Sequence, residues 1–520
     1  MSSRSTVMVK NAIVSSSHEL ASFWGANTLQ RGGNVVDAAL ATSAVLTVVQ
    51  NNMCGLGGDL FALMKINGKI TEINGSGRAA SASTIESFTK KGLKQIPSRG
   101  PLAAITVPGI VHAWGELSKY ATMELKDLLA PAVKYAETGF PITEKYAGSI
   151  RASQNSLGNF GEWRRIFIPG GLFPSRGDLF IQKDLANSLR AIIERGPEDF
   201  YKGELSERLV EGIADQGGIL NSDDFADHES TWNTNPISTE YRGVKIFETS
   251  PNSQGATILL WLNMLESFDL VAFDSEKVSK LLIDTCLRAY AERARSIADP
   301  KFFPLPRDFT SKSFAQEVLN SERLDIHLKD AEPPDGDTTY FAVADQEGNC
   351  MSVIQSNYMG FGSGLVPKGT GTVIHNRGCY FSLDHSHHNS LSPGKRTFHT
   401  LCASLGEKDG ETNFAVGTMG GDVQPQINVQ LMTQLIDFNK DLQRAIDQPR
   451  WIIPMTIYER PTTIYCEFEP YDALTLSGRL RVERLGGLSS MAGHAQAVYR
   501  TQDGLFGAAD PRGDGASVGF

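Results

Sequence analysis

The chain of 520 residues is 41% hydrophobic and 21% charged, which excludes a disordered polymer and supplies enough apolar residues for an extensive buried core. A formal net charge of -10, with no run of five or more Lys/Arg, excludes a basic nucleic-acid-binding surface and directs attention to small-molecule chemistry. The six cysteines, Cys54, Cys286, Cys350, Cys379, Cys402 and Cys466, are scattered without a Cys-x-x-Cys pair, which is the usage of a reducing cytoplasm, and no structural disulfide is expected.

At the start of the chain, the short apolar patches around Val7 and Ile13 do not make the continuous apolar core of a secretory signal. Ser17 is placed to cap a helix that runs through Arg31 and stops at Gly32-Gly33, and Asn34 caps the next helix with Asp37 at its third position. The apolar stretch 35–49 is interrupted by Asp37, Thr42, Ser43 and Thr47 and is too short to cross a bilayer. It reads as a buried helix, and no membrane association is expected. Strands at 60–64 and 69–73 form a hairpin across Asn67-Gly68. From 110 to 324 helical periodicity dominates, most clearly over 125–138, 182–195 and 277–298. After Thr338 the pattern changes to short strands at 339–344, 350–356, 371–375, 398–405, 412–416, 480–483 and 495–500, with one helix over 426–438. No Gly/Ser linker or internal repeat divides the chain, so a single interwoven layered α/β unit is expected.

Several motifs compete for the chemistry. Gly515-Ala516-Ser517-Val518-Gly519 has the spacing of a serine-hydrolase elbow, but the elbow needs a helix after the serine and only Phe520 follows. Gly55-Leu56-Gly57-Gly58 precedes a strand instead of following one, which argues against a nucleotide loop. His385-Ser386-His387-His388 lies in a Ser/Asn/Pro loop without partner ligands, so neither a metal nor another cofactor is expected. Thr338-Thr339 stands where the turn residues Pro333, Pro334 and Gly336 give way to a strand. Cutting Asp337-Thr338 would give Thr338 a hydroxyl nucleophile and a free amine as its base, whereas an uncut Thr-Thr is ordinary strand composition. Gly420-Gly421, between a strand and a helix, can present backbone amides to developing negative charge, or can be a plain turn. Arg78, in a Gly-rich loop, can grip a carboxylate.

Taken in order, these pieces resemble the gamma-glutamyltranspeptidase family of N-terminal nucleophile hydrolases. The resemblance runs from Leu29-Gln30-Arg31-Gly32-Gly33-Asn34 and Gly55-Leu56-Gly57-Gly58, through Arg78, Val107-Pro108-Gly109, Tyr241-Arg242-Gly243 and Pro251-Asn252-Ser253-Gln254-Gly255. It continues over 338–349 and Phe361-Gly362-Ser363-Gly364 to Gly420-Gly421 and Ala508-Ala509-Asp510-Pro511-Arg512. It implies an α+β fold, the four-layer αββα sandwich, made by a large segment 1–337 and a small segment 338–520 that stay together after self-cleavage at Asp337-Thr338. Thr338 is implied as nucleophile, Gly420 and Gly421 as oxyanion hole, and Ser356 stands where the family has a second threonine supporting the nucleophile. A small-molecule amide is the implied partner, and assembly of identical copies is left open.

The substrate positions depart from the family pattern. Arg78 is retained, but the family's Ser-Ser pair aligns with His399-Thr400, and the residues that hold an α-ammonium align with Tyr358, Arg377 and Tyr380. A guanidinium in place of a counter-charge repels an α-ammonium. A small carboxylate-bearing amide, for example an oxamate-like one, is therefore expected over a gamma-glutamyl group. The alternatives are a gamma-glutamyltranspeptidase or glutathione hydrolase and an unprocessed, silent binding paralogue.

Overall fold

The computed structural model describes residues 4–321, 336–458, 463–469 and 480–520. Its centre is a pair of long antiparallel strands, Gly336–Asp345 and Cys350–Met359, joined by the turn at Gln346 to Asn349. Side chains alternate between the faces of a strand. Tyr340, Ala342 and Ala344 accordingly enter one apolar cluster, and Phe341 and Val343 another. Thr338 shares the parity of Tyr340.

Around this pair a seven-stranded antiparallel sheet runs in the order Ala516–Gly519, Ala12–Ser16, Gly336–Asp345, Cys350–Met359, Asp59–Ile66, Lys69–Gly75 and Thr231–Asn233. A second seven-stranded sheet runs Val7–Val9, Leu505–Ala509, Ala495–Arg500, Glu411–Thr418, Ser404–Lys408, Val244–Glu248 and Ile237–Tyr241. Phe61, Leu63, Tyr340, Ile354, Leu405, Ala415 and Val498 pack between the two sheets. Gly417 lies against the Tyr340 ring so closely that a Cβ there would sit 2.3 Å from it. Glycine is what allows the sheets to meet at this point.

Helices cover the two outer faces. Val35–Val49 is buried along its whole length and packs on the strands Gly336–Asp345 and Cys350–Met359, with Glu19–Gln30 and Leu125–Thr138 around it. On the other side Gly255–Leu265, Ser275–Ser296 and Gln424–Ile436 cover the second sheet. The result is the four-layer αββα sandwich, in which helices complete cores that two sheets alone would leave exposed.

The hairpin Asp59–Ile66 and Lys69–Gly75 turns through Asn67 and Gly68, both at positive φ, as expected. Asn34 accepts from Val36 and Asp37 amides while Asp37 accepts from the Asn34 amide, which completes the expected capping box. Four local expectations change. His18, not Ser17, caps the first helix, because the Ser17 hydroxyl donates to Gln50 instead. The segment 371–375 makes only an isolated bridge between Ile374 and Gly57. Of 398–405 only the end belongs to a strand, Ser404–Lys408, since the His399 backbone bonds the loop at Asn252 and Gln254. The strands within 231–248 break the expected helical middle: they are short, and their alternation is carried partly by polar residues. All six cysteines are free thiols, and among the described residues no helix is long and apolar enough to cross a membrane.

The His18 ring accepts the Leu20 amide proton through Nδ1, so the cap requires an unprotonated nitrogen. Burial pushes this imidazole down from 6.5 to about 4, with Asp514 opposing. Between these values the unfolded chain binds a proton that the folded chain does not, so stability is complete above pH 6.5 and is lost as pH falls toward about 4. One such histidine contributes up to about 1.4 kcal/mol per pH unit. His18→Asn keeps a good cap without the titration. Its unfolding temperature is expected to fall less steeply on acidification than that of the wild type, which thermal scans across this pH range will measure.

Candidate active site

Thr338 lies at an irregularity in the central pair: Asp337 pairs with Tyr358 and Thr339 with Gln355, so Ser356 and Asn357 together oppose Thr338. This β-bulge re-aims the strand end. The Thr338 hydroxyl donates to Ser356 Oγ at 3.0 Å, and Ser356 Oγ donates to the Asp337 carbonyl at 2.8 Å. That carbonyl belongs to the peptide bond that joins Asp337 to Thr338. The Tyr358 amide donates to the same Ser356 oxygen at 2.7 Å. One serine hydroxyl therefore accepts from the nucleophile candidate and polarises the bond beside it, with its orientation fixed by a third group. Thr338 is 1% exposed and Ser356 2%.

The strand Glu411–Thr418 lies against the strand Gly336–Asp345 and turns through Gly420, at φ +134°, and Gly421, at φ +56°. The short turn Gly421–Val423 contacts the strand that carries Thr338. Among the described residues the Gly420 and Gly421 amides make no backbone hydrogen bond. Such amides can receive an oxyanion. The corner is held from behind: Gln254 Nε2 donates to the Gly421 carbonyl at 3.0 Å, Arg293 Nη1 lies 3.3 Å from Asp422 Oδ1, and the Tyr380 hydroxyl donates to Asp422 Oδ1. Burial raises the Asp422 carboxyl above its ordinary value despite the Arg293 charge. Tyr380 is thus committed to the corner. On the Asp337 side a cavity of about 390 Å³ is lined by Asp337, Gly360, Met419, Asn52, Tyr146 and His494.

Arg377 points inward. It is 2% exposed, its Nη2 donates to Thr400 Oγ1 at 2.9 Å, and its guanidinium carbon stands 3.8 Å from the Tyr358 ring centroid. Its Nε and Nη1 have no hydrogen-bond partner among the described residues. Burial lowers the pKa of this guanidinium, and an arginine still remains charged. Tyr358 adopts φ +77°, which a bulky residue takes at a cost of about 1–3 kcal/mol, and this brings its ring beneath the arginine. His399 faces away from a ligand role: Nε2 bonds Asp59 Oδ2 at 3.0 Å and Nδ1 accepts the Leu401 amide at 3.2 Å, so both ring nitrogens are engaged. Burial and the nearby Arg377 charge push this imidazole down to about 3, so it is neutral. Arg78 is half-buried, and its guanidinium donates to the Glu229 carbonyl at 3.4 Å.

A family model described as Gamma-glutamyltranspeptidase matches residues 21–520. The chain belongs to the gamma-glutamyltranspeptidase family. It is 38% identical over 528 residues to the glutathione hydrolase-like YwrD proenzyme of Bacillus subtilis, covering 99% of this chain and 100% of the relative. It is 33% identical over 526 residues to the oxamate amidohydrolase proenzyme of Klebsiella pneumoniae, covering 97% of each. Among solved structures, cephalosporin acylase from Bacillus halodurans superposes with a TM-score of 0.92 at 35% identity, over 100% of this chain and 98% of that one. This gamma-glutamyltranspeptidase family chain is therefore an amide hydrolase or acyltransferase with the N-terminal nucleophile fold.

Sequence reasoning did not single out Asp59, Arg293 or Asp422, which hold the site from behind. Asp59 reads as a polar residue at a turn, and nothing in its neighbours signals that it is buried beside two histidines. Ser356→Ala is expected to slow any cleavage at Asp337-Thr338 by about 100-fold, the scale of losing one oxyanion donor, whereas Ser356→Thr retains it. Fragment yield against time on a denaturing gel measures both.

Proposed function

We propose that this chain cuts itself before Thr338 and that the freed threonine hydrolyses a small amide whose acyl group carries a carboxylate but no free α-amine. In the cut, Thr338 Oγ bonds to the Asp337 carbonyl carbon. The threonine proton passes to Ser356 as the serine proton passes to the carbonyl oxygen, which gives a neutral tetrahedral species. The C–N bond then breaks as the hydroxyl proton of that species passes to the leaving nitrogen and the carbonyl re-forms as an ester of Thr338; water hydrolyses this ester to leave Asp337 as a new carboxylate end and Thr338 with a free hydroxyl and amine. The two Ser356 hydrogen bonds support this sequence, because they already lie along the path of both protons. The proenzyme names of the relatives support it as well.

The freed Thr338 amine then acts as base for its own hydroxyl, the substrate acyl group passes to Oγ, and water releases it. The carbonyl oxygen of the tetrahedral intermediate faces the Gly420 and Gly421 amides. The two fragments stay together because the nucleophile strand is paired with Ala12–Ser16 on one side, from Phe341 opposite Ser16 to Asp345 opposite Ala12.

The observation that carries the substrate reading is Arg377. A buried charge with two unpartnered nitrogens costs several kcal/mol, and a substrate carboxylate would offset that cost. An α-ammonium about 4 Å away would instead be repelled by about 4 kcal/mol at an effective dielectric near 20. Oxamate carries a carboxylate and no amine, and the names oxamate amidohydrolase and cephalosporin acylase point the same way. The relative named glutathione hydrolase-like favours a gamma-glutamyl substrate as the rival.

Freshly purified protein is expected to run as two fragments and Thr338→Ala as one band; a single intact wild-type band would favour a silent binding protein. Ammonia release from oxamate is expected to exceed anilide release from a gamma-glutamyl anilide, and the reverse order would establish the rival. Arg377→Gln should lower kcat/KM on oxamate by about 10- to 100-fold, the worth of one charged hydrogen-bonded contact.

A further inference from the structure

Asp59 begins the strand Asp59–Ile66, is 1% exposed and pairs in register with Ser356 on the neighbouring strand. Its two oxygens have separate duties. Oδ1 accepts the Gly77 and Gly109 amides, each at 3.3 Å. Oδ2 accepts His399 Nε2 at 3.0 Å and lies 3.3 Å from His375 Nδ1. His375 Nε2 in turn donates to the Thr106 carbonyl at 2.9 Å. Burial alone would raise the Asp59 carboxyl, but its interactions with His375 and His399 outweigh it and hold the group below the ordinary carboxylate range.

Two of these four contacts, Gly77 and His399, lead to an arginine. Gly77 is the residue before Arg78, and a Cβ on Gly77 would lie 1.6 Å from the Val107 carbonyl, so this backbone is clamped between Val107 and Asp59. His399 is the residue before Thr400, whose hydroxyl accepts from Arg377 Nη2. A neutral acceptor could satisfy the two glycine amides. It could not also hold His399 and face His375, so the charge of Asp59 serves the histidine side.

We infer that Asp59 is the positioning residue of the substrate carboxylate site, setting Arg78 and Arg377 relative to each other and to Ser356, and thereby giving the enzyme its selectivity for anionic acyl groups. The inference rests on the carboxylate-bearing substrate proposed above. Two effects oppose each other in Asp59→Asn. Removing a negative charge near Arg377 favours an anion, whereas releasing the two backbone arms displaces both arginines. Because the Asp59 charge is already compensated by the donors gathered on it, the second effect prevails.

The test uses the processed protein, oxalate as a non-hydrolysable probe in calorimetric titration, and the pair oxamate and oxamide, which differ by one charge, as substrates. In Asp59→Asn, oxalate affinity and kcat/KM on oxamate are expected to fall by about tenfold or more, mainly through KM, while oxamide hydrolysis stays within about twofold. A purely structural role would lower both substrates together, and that result overturns the inference. So does unchanged or tighter oxalate binding in the variant. Failure of the processed wild type to bind oxalate overturns the carboxylate reading itself, and this inference with it. Should Asp59→Asn not accumulate as folded protein, His399→Ala cuts the Arg377 arm alone and carries the same expectation and the same overturning results.

Discussion

The structure depends on the register between two neighbouring strands. A shift of one residue in the pairing of Gly336–Asp345 with Cys350–Met359 would turn the threonine hydroxyl to the opposite face and separate it from Ser356. The sandwich fixes that register from both sides: Tyr340 is wedged against Gly417 of the second sheet, and Phe341 and Val343 enter the cluster beneath the helix Val35–Val49. A large apolar core is thus used to hold one short hydrogen-bonded relay. The bulge then allows two residues of one strand to face the threonine, which an ideal ladder would not.

In the proposed function, chemistry and selectivity are built from different materials. The relay through Ser356 and the glycine corner consists of neutral hydroxyls and backbone amides, with its charges, Arg293 and Asp422, kept behind the turn. The side proposed to take the substrate carboxylate consists of charges: Asp59 reaches Arg377 through His399 and Thr400, and Arg78 through the Gly77 backbone. In the proposed reading, such a division would let the substrate side vary without disturbing Thr338. It would also let a family likeness across residues 21–520 coexist with the departures expected at Tyr358, Arg377 and Tyr380.

Much of this was legible in the sequence because local rules and global fold agree. The Asn34 capping box, the Asn67-Gly68 hairpin and the change to strands after Thr338 each follow from turn chemistry or periodicity. The strands within 231–248 were not legible, since short segments with polar alternation borrow their stability from neighbouring strands rather than from composition. The candidate site divides in the same way. Thr338 and the glycine pair stand out by type and order, whereas the commitment of Tyr380 to Asp422 and of His399 to Asp59 depends on residues distant in sequence that only the fold brings together.

The central strand Gly336–Asp345 lies between Ala12–Ser16, from the beginning of the chain, and Cys350–Met359, which follows Thr338. If the chain is severed between Asp337 and Thr338 as proposed, the pairing from Thr339 onward still joins the two fragments, yet what unfolding means changes. Before the cut, loss of structure yields one polymer that can search for its fold alone; afterwards it yields two, and recovery must await their encounter and becomes dependent on concentration. The lifetime of the mature molecule is then governed by how rarely the sheet opens rather than by how readily it closes.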